Sequence, residues 1–278
     1  MKECDLRDIK LRGIIGNHDA FYKNTNEINS ISEIFSDSNL NLEFYHNPQE
    51  IMMGDLPVAV FPWICADNYE ESMELIKNTK AQVAMGHLEI AGFAMYKGDT
   101  NVGRGMNRKT FDNFDMVLTG HYHHKSSDGH IFYLGSPYEI TWADWNDARG
   151  FHIFDTETRD LTYVENPYKI FHKIIYNDGC EFDDSQIEGS YVKVIVQSKT
   201  DEDQFDSFVA KLESLNPTDL QVIEDTVSIA EDGEEFNPEV DDTITFMRRE
   251  VDNAEVNVDK TKLLNTLEDI HNEALHAE

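Results

Sequence analysis

The sequence has 278 residues, enough for one large domain and a smaller appendage. No run approaches the roughly 18 apolar residues of a membrane span, and no apolar signal segment follows Met1, which argues against a membrane protein. The 3 cysteines lie far apart, without a Cys-x-x-Cys pair. This spacing argues against a disulfide frame or a zinc knuckle and favours reduced thiols in a cytoplasmic protein.

The formal net charge of −31 is unevenly distributed along the chain. Residues 1–165 contain 14 basic and 26 acidic side chains, whereas residues 166–278 contain 9 and 28. Such acidity is unfavourable for binding nucleic acid through phosphate neutralisation. If the protein acts on DNA, metal ions, local patches or a partner must supply positive potential.

Residues 11–165 alternate strand-like and helix-like segments, which favours an α/β arrangement. Two segments with apolar positions at three- and four-residue spacing are predicted helices, 27–35 and 69–77. The apolar runs predict strands at 11–15, 56–61, 81–85, 116–119, 131–134, 151–154 and 161–164.

A second unit is predicted to start near Asn166. Strands at 172–176, 191–197 and 220–223 and a helix at 204–215 predict a compact α+β module. An acidic stretch with Gly and Pro follows and indicates a linker. The remaining tail has a helical apolar stripe, which either folds back on the chain or docks on a partner. The stripe consists of Leu263, Leu264, Leu267, Ile270 and Leu275.

Three motifs each follow an apolar, strand-like run: Gly16-Asn17-His18-Asp19, Gly86-His87, and Gly120-His121-Tyr122-His123. Side chains at strand ends converge at one edge of an α/β sheet. Imidazole nitrogens and an amide oxygen suit Mn²⁺, Fe²⁺ or Zn²⁺. The three motifs together predict a catalytic metal centre.

The residues of these motifs have separate candidate roles. Asn17 could bind metal through its side-chain oxygen, and His18 could protonate a leaving alkoxide with Asp19 as its orienting partner. In extended backbone His121 and His123 point to the same side and could face one metal cluster. Taken singly, the first motif also fits an ordinary surface turn, and His87 also fits a packed core histidine.

The motif order G-N-H-D, then G-H, then G-H-x-H resembles that of calcineurin-like metallophosphoesterases. The segments Tyr133-Leu134-Gly135-Ser136-Pro137 and Arg149-Gly150-Phe151 resemble the DNA-repair nuclease branch, which includes SbcD and the meiotic-recombination-eleven nuclease. Pro62-Trp63 and Gly86-His87-Leu88-Glu89 look most like the recombination endonuclease subunit of tailed bacteriophages. The resemblance covers residues 8–225 and implies a metallophosphoesterase sandwich with a small capping domain.

The resemblance implies a two-Mn²⁺ site for metal-dependent hydrolysis of DNA phosphodiesters. Asn17, His87 and His121 match ligands of one ion, and His123 matches a ligand of the other. His18 matches the residue that protonates the leaving group, with Asp19 as its orienter. No residue before Gly16 supplies the family's Asp-x-His or its bridging Asp. We therefore expect a nuclease domain, residues 1–165, that lacks its first strands and is inactive or impaired.

The expected domain order continues with a capping domain at 166–228, an acidic linker at 229–242 and a helical partner-binding tail at 243–278. The resemblance implies a coiled-coil ATPase as partner, a homodimer within a heterotetramer, a DNA substrate and no membrane association. The location would be the host cytoplasm if a phage encodes the protein. We also expect the strand at 11–15 to lie inside the central sheet.

Two other functions fit the same sequence. One is a phosphoesterase acting on small phosphate esters, which the separate capping module and the helical tail argue against. The other is a non-catalytic assembly subunit for the ATPase, which the missing carboxylates favour for this chain.

Overall fold

The computed structural model describes residues 2–35, 41–99 and 102–224, together with residues 251, 260, 262–264, 266 and 267. The chain divides into two compact units, residues 1–225 and residues 226–278. Among the helices that the structure describes, none is both long and apolar enough to cross a lipid bilayer.

Within the described residues, the first unit combines short helices with strands of three to eight residues, apart from one two-residue strand. The helices are α1 Lys2–Leu6, α2 Ser30–Phe35, α3 Tyr69–Asn78 and α4 Glu202–Ser214. Short 3₁₀ helices span Arg108–Phe111, Trp142–Asp144 and Asp184–Gln186. The strands are β1 Leu11–Ile14, β2 Ala20–Tyr22, β3 Thr25–Asn29, β4 Leu42–Tyr45, β5 Gln49–Met53, β6 Leu56–Phe61, β7 Val83–Gly86, β8 Met116–Thr119, β9 Ser126–Ser127, β10 Ile131–Tyr133, β11 Gly150–Phe154, β12 Leu161–Glu165, β13 Phe171–Asn177, β14 Tyr191–Ser198 and β15 Asp219–Glu224.

A mixed six-stranded sheet lies at the centre of the first unit, with strand order β5-β6-β7-β8-β10-β9. Its four inner strands are parallel, and each edge strand runs antiparallel to its neighbour. The carboxyl ends of β6, β7 and β8 therefore meet at one edge. This α/β arrangement around a multi-strand sheet fits the predicted metallophosphoesterase-type fold.

Both faces of the central sheet are buried. Alternate residues of each strand face opposite sides, and an apolar cluster covers each side. Val58 and Val60 of β6 join one core, against which side chains of β1, β4 and β11 pack. Ala59 and Phe61 join the other core, which includes Ile76 of α3. The near-continuous apolar sequence of β6 follows from burial on both sides.

The strand β1 pairs in parallel with β4 in a separate two-stranded sheet. The prediction that the strand at 11–15 lies inside the central sheet is therefore wrong. The main-chain amide of Trp63, just after β6, donates a 2.8 Å hydrogen bond to the carbonyl of Ile15. This bond holds the end of β1 beside the end of β6.

The predicted helix at 27–35 is wrong in its first half, where β2 and β3 form an antiparallel hairpin and α2 begins only at Ser30. The side chains of Asn26 and Asn29 are buried within this region. The amide of Asn26 donates to the carbonyl of Trp63 at 2.8 Å, and the amide of Asn29 donates to the carbonyl of Asn26 at 2.9 Å. These long-range and local bonds override the helical spacing of the isoleucines.

Three parallel strands, β13-β14-β15, form a second sheet that packs on α4 around its own apolar cluster. Val192, Val194 and Val196 of β14 face this cluster, and Phe205 and Leu212 of α4 fill it. The four predicted elements of this module are thereby confirmed. Its boundaries as a capping domain, 166–228, stay a prediction.

In the second unit, residues 251, 260, 262–264, 266 and 267 are helical. The hydroxyl of Thr266 donates to the carbonyl of Lys262 at 2.9 Å, which is a one-turn helical contact. Leu263, Leu264 and Leu267 are half-buried. The predicted acidic linker at 229–242, together with Ile270 and Leu275, lies outside the described residues.

Candidate metal centre

The ends of β1, β6, β7 and β8 meet at one edge of the first unit, and the turns after β1, β7 and β8 carry the predicted ligands. Beyond the Trp63–Ile15 bond, the amide of His87 donates to the carbonyl of Phe61 at 3.0 Å, and the amide of Gly120 donates to the carbonyl of Gly86 at 3.0 Å. The turns that follow β1, β7 and β8 are thus tied side by side. Sequence positions far apart in the chain are brought to one place, as open α/β sheets do.

Three ligand atoms from these turns form a triangle. Nε2 of His87 lies 2.7 Å from Oδ1 of Asn17, and Nδ1 of His121 lies 3.2 Å from the same oxygen. The two imidazole nitrogens are 3.2 Å apart. The structure therefore brings Asn17, His87 and His121 together as predicted for one ion.

The dimensions of this triangle fit a divalent metal ion. Ligands at adjacent corners of an octahedron with bonds of about 2.1 Å lie about 3 Å apart. Two imidazole nitrogens and one amide oxygen are a donor set for Mn²⁺, Fe²⁺ or Zn²⁺. Within the described residues no group of three or more His, Cys, Asp or Glu side chains is placed to hold a metal, so the amide of Asn17 is needed to complete the set.

The two imidazoles are held neutral, as metal ligation requires. The pKa of His87 is lowered to about 3, chiefly by burial and next by the neighbouring His121. The pKa of His121 is lowered to about 4, again chiefly by burial and next by the neighbouring His18. Because their nitrogens face each other, a proton on one ring repels a proton on the other. At neutral pH both rings are uncharged, so each has one nitrogen lone pair that can bind a cation.

Backbone constraints fix the triangle. A Cβ atom on Gly16 would lie 2.9 Å from Cε1 of His87, so only glycine allows this close approach. His121 has φ of +80°, a conformation that costs energy for a non-glycine residue. The prediction that His121 and His123 share a side of extended backbone is therefore wrong in its geometry. The turn instead directs His121 into the triangle.

The hydroxyl of Thr119, at the end of β8, holds the turn that carries His87. It donates to the carbonyl of Gly86 at 3.1 Å and accepts from the amide of Leu88 at 3.0 Å. Thr119 is fully buried. A single buried hydroxyl thus satisfies the main-chain groups on both sides of His87.

His18 is exposed and lies close enough to His87 and His121 to affect the charge of both. Asp19 has a different partner from the one expected, because its Oδ2 accepts a 2.8 Å hydrogen bond from the amide of Gly16. No hydrogen bond joins Asp19 to His18 among the described side chains. The turn leaves the Gly16 amide without a strand partner, and the carboxylate satisfies it.

A buried carboxylate that the sequence did not point to holds His123. Nδ1 of His123 lies 3.1 Å from Oδ1 of Asp144. Since a carboxylate only accepts, the proton is on Nδ1 and the lone pair of Nε2 remains for a ligand. Burial alone raises the pKa of Asp144, but hydrogen bonds from His123 and from the amides of Ile140 and Thr141 outweigh it and hold the pKa at about 2.

The guanidinium of Arg149 lies at the centre of this network and is 1% exposed. It contacts Asp144 at 3.0 Å and Asp147 at 2.9 Å, and it donates to Ser136 Oγ at 3.0 Å and to the carbonyl of His123. Two carboxylates compensate the charge of the buried guanidinium, which would be costly to bury alone. Arg149 thereby fixes both the main chain and the imidazole of His123.

His124 belongs to the same network. Its Nδ1 lies 2.9 Å from Oδ2 of Asp147. The capping-box spacing of Thr141 and Asp144 is a sequence signal for the start of the 3₁₀ helix at Trp142–Asp144. Nothing in the sequence pairs Asp144 with His123, because that contact spans 21 residues.

The segment that carries Asp144 also contacts the module of β13 to β15. Glu139 Oε2 accepts from the amides of Ile170 and Phe171 at 2.7 and 2.9 Å. The ring of Trp142 lies 4.8 Å from that of Phe171, and the ammonium of Lys193 lies 4.2 Å from the Trp142 ring centre. The residues that position His123 are thus anchored on the small module.

Comparison with known proteins shows which proteins this chain is similar to. No protein-family model matches the chain. It is 29% identical over 98 residues to the SbcD component of the SbcCD nuclease of Staphylococcus epidermidis, covering 33% of this chain and 26% of that protein. It is 24% identical over 112 residues to the same component in Staphylococcus saprophyticus, covering 38% and 30%. The chain is homologous to SbcD-type nuclease subunits, and the predicted resemblance is confirmed.

A longer match comes from a phage. The chain is 32% identical over 196 residues to exonuclease subunit 1 of Enterobacteria phage T4. The match covers 70% of this chain and 57% of the phage T4 protein. The chain therefore spans just over half the length of that relative.

Proposed function

We propose that this chain is the nuclease subunit of a DNA recombination or repair complex and hydrolyses phosphodiester bonds with bound metal. The observation that carries the proposal is the Asn17–His87–His121 triangle at the ends of neighbouring strands. Homology to nuclease subunits supports the same chemistry.

In this proposal Asn17, His87 and His121 hold one Mn²⁺, and Nε2 of His123 binds a second. A bound divalent ion polarises the phosphate and lowers the pKa of water. Asp144 accepts a hydrogen bond from the N–H at Nδ1 of His123 and so leaves the lone pair of Nε2 for the ion. One imidazole does not hold a hard dication against water, so we expect the second ion to bind more weakly than the first.

His18 has the role of proton donor to the leaving oxygen. It is exposed, as a residue that meets substrate must be, and it lies beside two triangle histidines without being one of the three corners. Asp19 supports it indirectly, because its carboxylate closes the turn onto the amide of Gly16. A proton donor placed beside a metal-bound phosphate contributes about 10²–10⁴-fold in rate.

The partners follow from charge and from the tail. A chain with net charge −31 repels DNA, so a coiled-coil ATPase subunit would share the DNA-binding surface. The apolar stripe of the tail is proposed to bind the base of that coiled coil, within a heterotetramer that contains two copies of this chain. The complex would act in the cytoplasm.

The test compares His18→Ala with His121→Ala in Mn²⁺ binding and in cleavage of single-stranded DNA, with and without the ATPase. We expect His18→Ala to lower cleavage by about 10²-fold or more and to retain Mn²⁺. His121→Ala should lose both. Equal loss of metal in the two variants would show that these roles are misassigned.

A non-catalytic assembly subunit is the second candidate. Among the described side chains no carboxylate belongs to the triangle, and this favours the non-catalytic candidate. A chain that binds the ATPase and Mn²⁺ but leaves cleavage unchanged when His18 is replaced would support this alternative.

A further inference from the structure

A cleft of about 230 Å³ opens beside the triangle and shares His87 with it. Its other walls include Trp63, Tyr69, Glu89, Gly105 and Met106. The volume lies below the roughly 300–1,000 Å³ of sites for drug-sized ligands, which suits a single small ring system. Aromatic and apolar walls with one carboxylate are a chemical match for a flat, polar-edged ring.

Buried asparagines fix the aromatic wall of the cleft. The carbonyl of Trp63 accepts from the side-chain amides of Asn26 at 2.8 Å and Asn68 at 3.1 Å. Both asparagines are at most 4% exposed. The side chain of Trp63 stays half-exposed at the cleft, although its main chain is held at both ends.

The opposite walls are equally constrained. The amide of Met106 donates to the carbonyl of Glu89 at 2.8 Å, and a Cβ on Gly105 would lie 2.5 Å from that oxygen. The hydroxyl of Tyr133 accepts from the amide of Ile90 at 2.8 Å and donates to the carbonyl of Leu88 at 2.9 Å. The cleft is therefore preformed.

We propose that this cleft binds one unstacked nucleobase of the DNA strand whose phosphate is held at the triangle. The inference rests on the proposed function, because it takes the phosphate position from the metal centre. An aromatic face binds any base by stacking, worth about 1–3 kcal/mol. A base inside a duplex stack cannot enter, so the substrate must present a strand end or an unpaired nucleotide.

The experiment measures binding to the full chain in Mn²⁺ by calorimetry, with deoxycytidine 5′-monophosphate and deoxyribose 5-phosphate as ligands. We expect the nucleotide to bind about tenfold more tightly than the sugar phosphate, since stacking of one base contributes this much. Trp63→Ala should remove that difference and leave sugar phosphate binding unchanged. Trp145→Ala is the matched control, because this half-buried tryptophan packs against Lys173 instead.

A second variant, Met106→Trp, fills the cleft from the other wall and leaves the Trp63 anchors untouched. It should also remove the nucleotide advantage. Equal affinities of the two ligands for the unmodified chain, or an advantage that survives both variants, would overturn the base site. In that case sugar phosphate binding that needs Mn²⁺ and His121 would still support the proposed function. Failure of both ligands to bind would contradict both proposals.

Discussion

At the residue scale, Gly16 determines where the imidazole of His87 lies. A methyl group there would lie 2.9 Å from Cε1 and 3.1 Å from both ring nitrogens. The ring is half-buried between neighbouring turns, and a shift that relieved this contact would move it out of the triangle. Residue packing of this kind explains why the first motif needs glycine before its asparagine.

We predict that Gly16→Ala displaces His87 and weakens Mn²⁺ binding by tenfold or more, while the unit remains folded. Gly103→Ala is the control, because a Cβ there meets no atom of the described residues within 4 Å. Calorimetric Mn²⁺ titration and circular dichroism of both variants check the prediction. Unchanged Mn²⁺ affinity of Gly16→Ala would show that the triangle is not the metal site.

Asp144 sets the tautomer of His123. We predict that Asp144→Asn allows the proton of His123 to move to Nε2, because an amide can donate as well as accept. The ¹⁵N chemical shifts of His123 in the metal-free chain report this change directly. Asp115→Asn is the control, since the Asp115 carboxylate instead contacts Arg159 at 3.2 Å, outside the network around His123. A His123 spectrum that is unaltered in Asp144→Asn would contradict the assigned role.

The half-buried imidazoles of His87 and His121 make the metal-free chain sensitive to acid. The pKa values of His87 and His121 fall from 6.5 to about 3 and about 4 in the folded chain. Below pH 6.5 the unfolded chain therefore binds more protons, so the free energy of unfolding decreases as pH falls from about 6.5 towards 4. His87→Gln should make urea unfolding less dependent on pH in this window. An identical pH dependence for the variant would be inconsistent with a His87 that stays neutral in the folded chain.

At the scale of elements, the hydroxyl of Tyr133 at the end of β10 supports the segment after β7. Tyr133→Phe would leave the amide of Ile90 buried without its partner, and we predict a loss of about 1–3 kcal/mol in the free energy of unfolding. Tyr138→Phe, at an exposed position, should change stability by less than about 0.5 kcal/mol. Chemical denaturation measures both, and similar losses would refute the explanation.

The sequence predicts the inner strands of the central sheet to within two residues, because burial on both faces gives continuous apolar runs. It does not predict β2, β3 or β5, whose polar and exposed positions carry no clear period. The histidines and Asn17 are found because each follows a strand. The sequence does not predict the contact of Asp144 with His123 or the burial of Arg149, since tertiary contacts determine the partners of both residues.

At the scale of the whole molecule, net charge and the tail point to a partner. Deleting residues 243–278 is predicted to abolish co-purification with the ATPase, while the unit of residues 1–225 stays folded. Leu267→Asp should weaken the same interaction, whereas Thr266→Asp, at an exposed position beside the stripe, should not. Undiminished co-purification of the truncated chain would rule out the tail as the binding element.

Titration of the purified chain with Mn²⁺ tests the central claim, that Asn17, His87 and His121 form a metal centre. We predict weak binding of one Mn²⁺ at this triangle, ahead of any still weaker second ion, and its loss in His121→Ala. It should be kept in His130→Gln, because the ring of His130 instead contacts the carbonyl of Phe114 at 2.7 Å. Electron paramagnetic resonance of free and bound Mn²⁺ gives the stoichiometry. Binding that His121→Ala leaves intact, or no binding by the unmodified chain, would contradict the account.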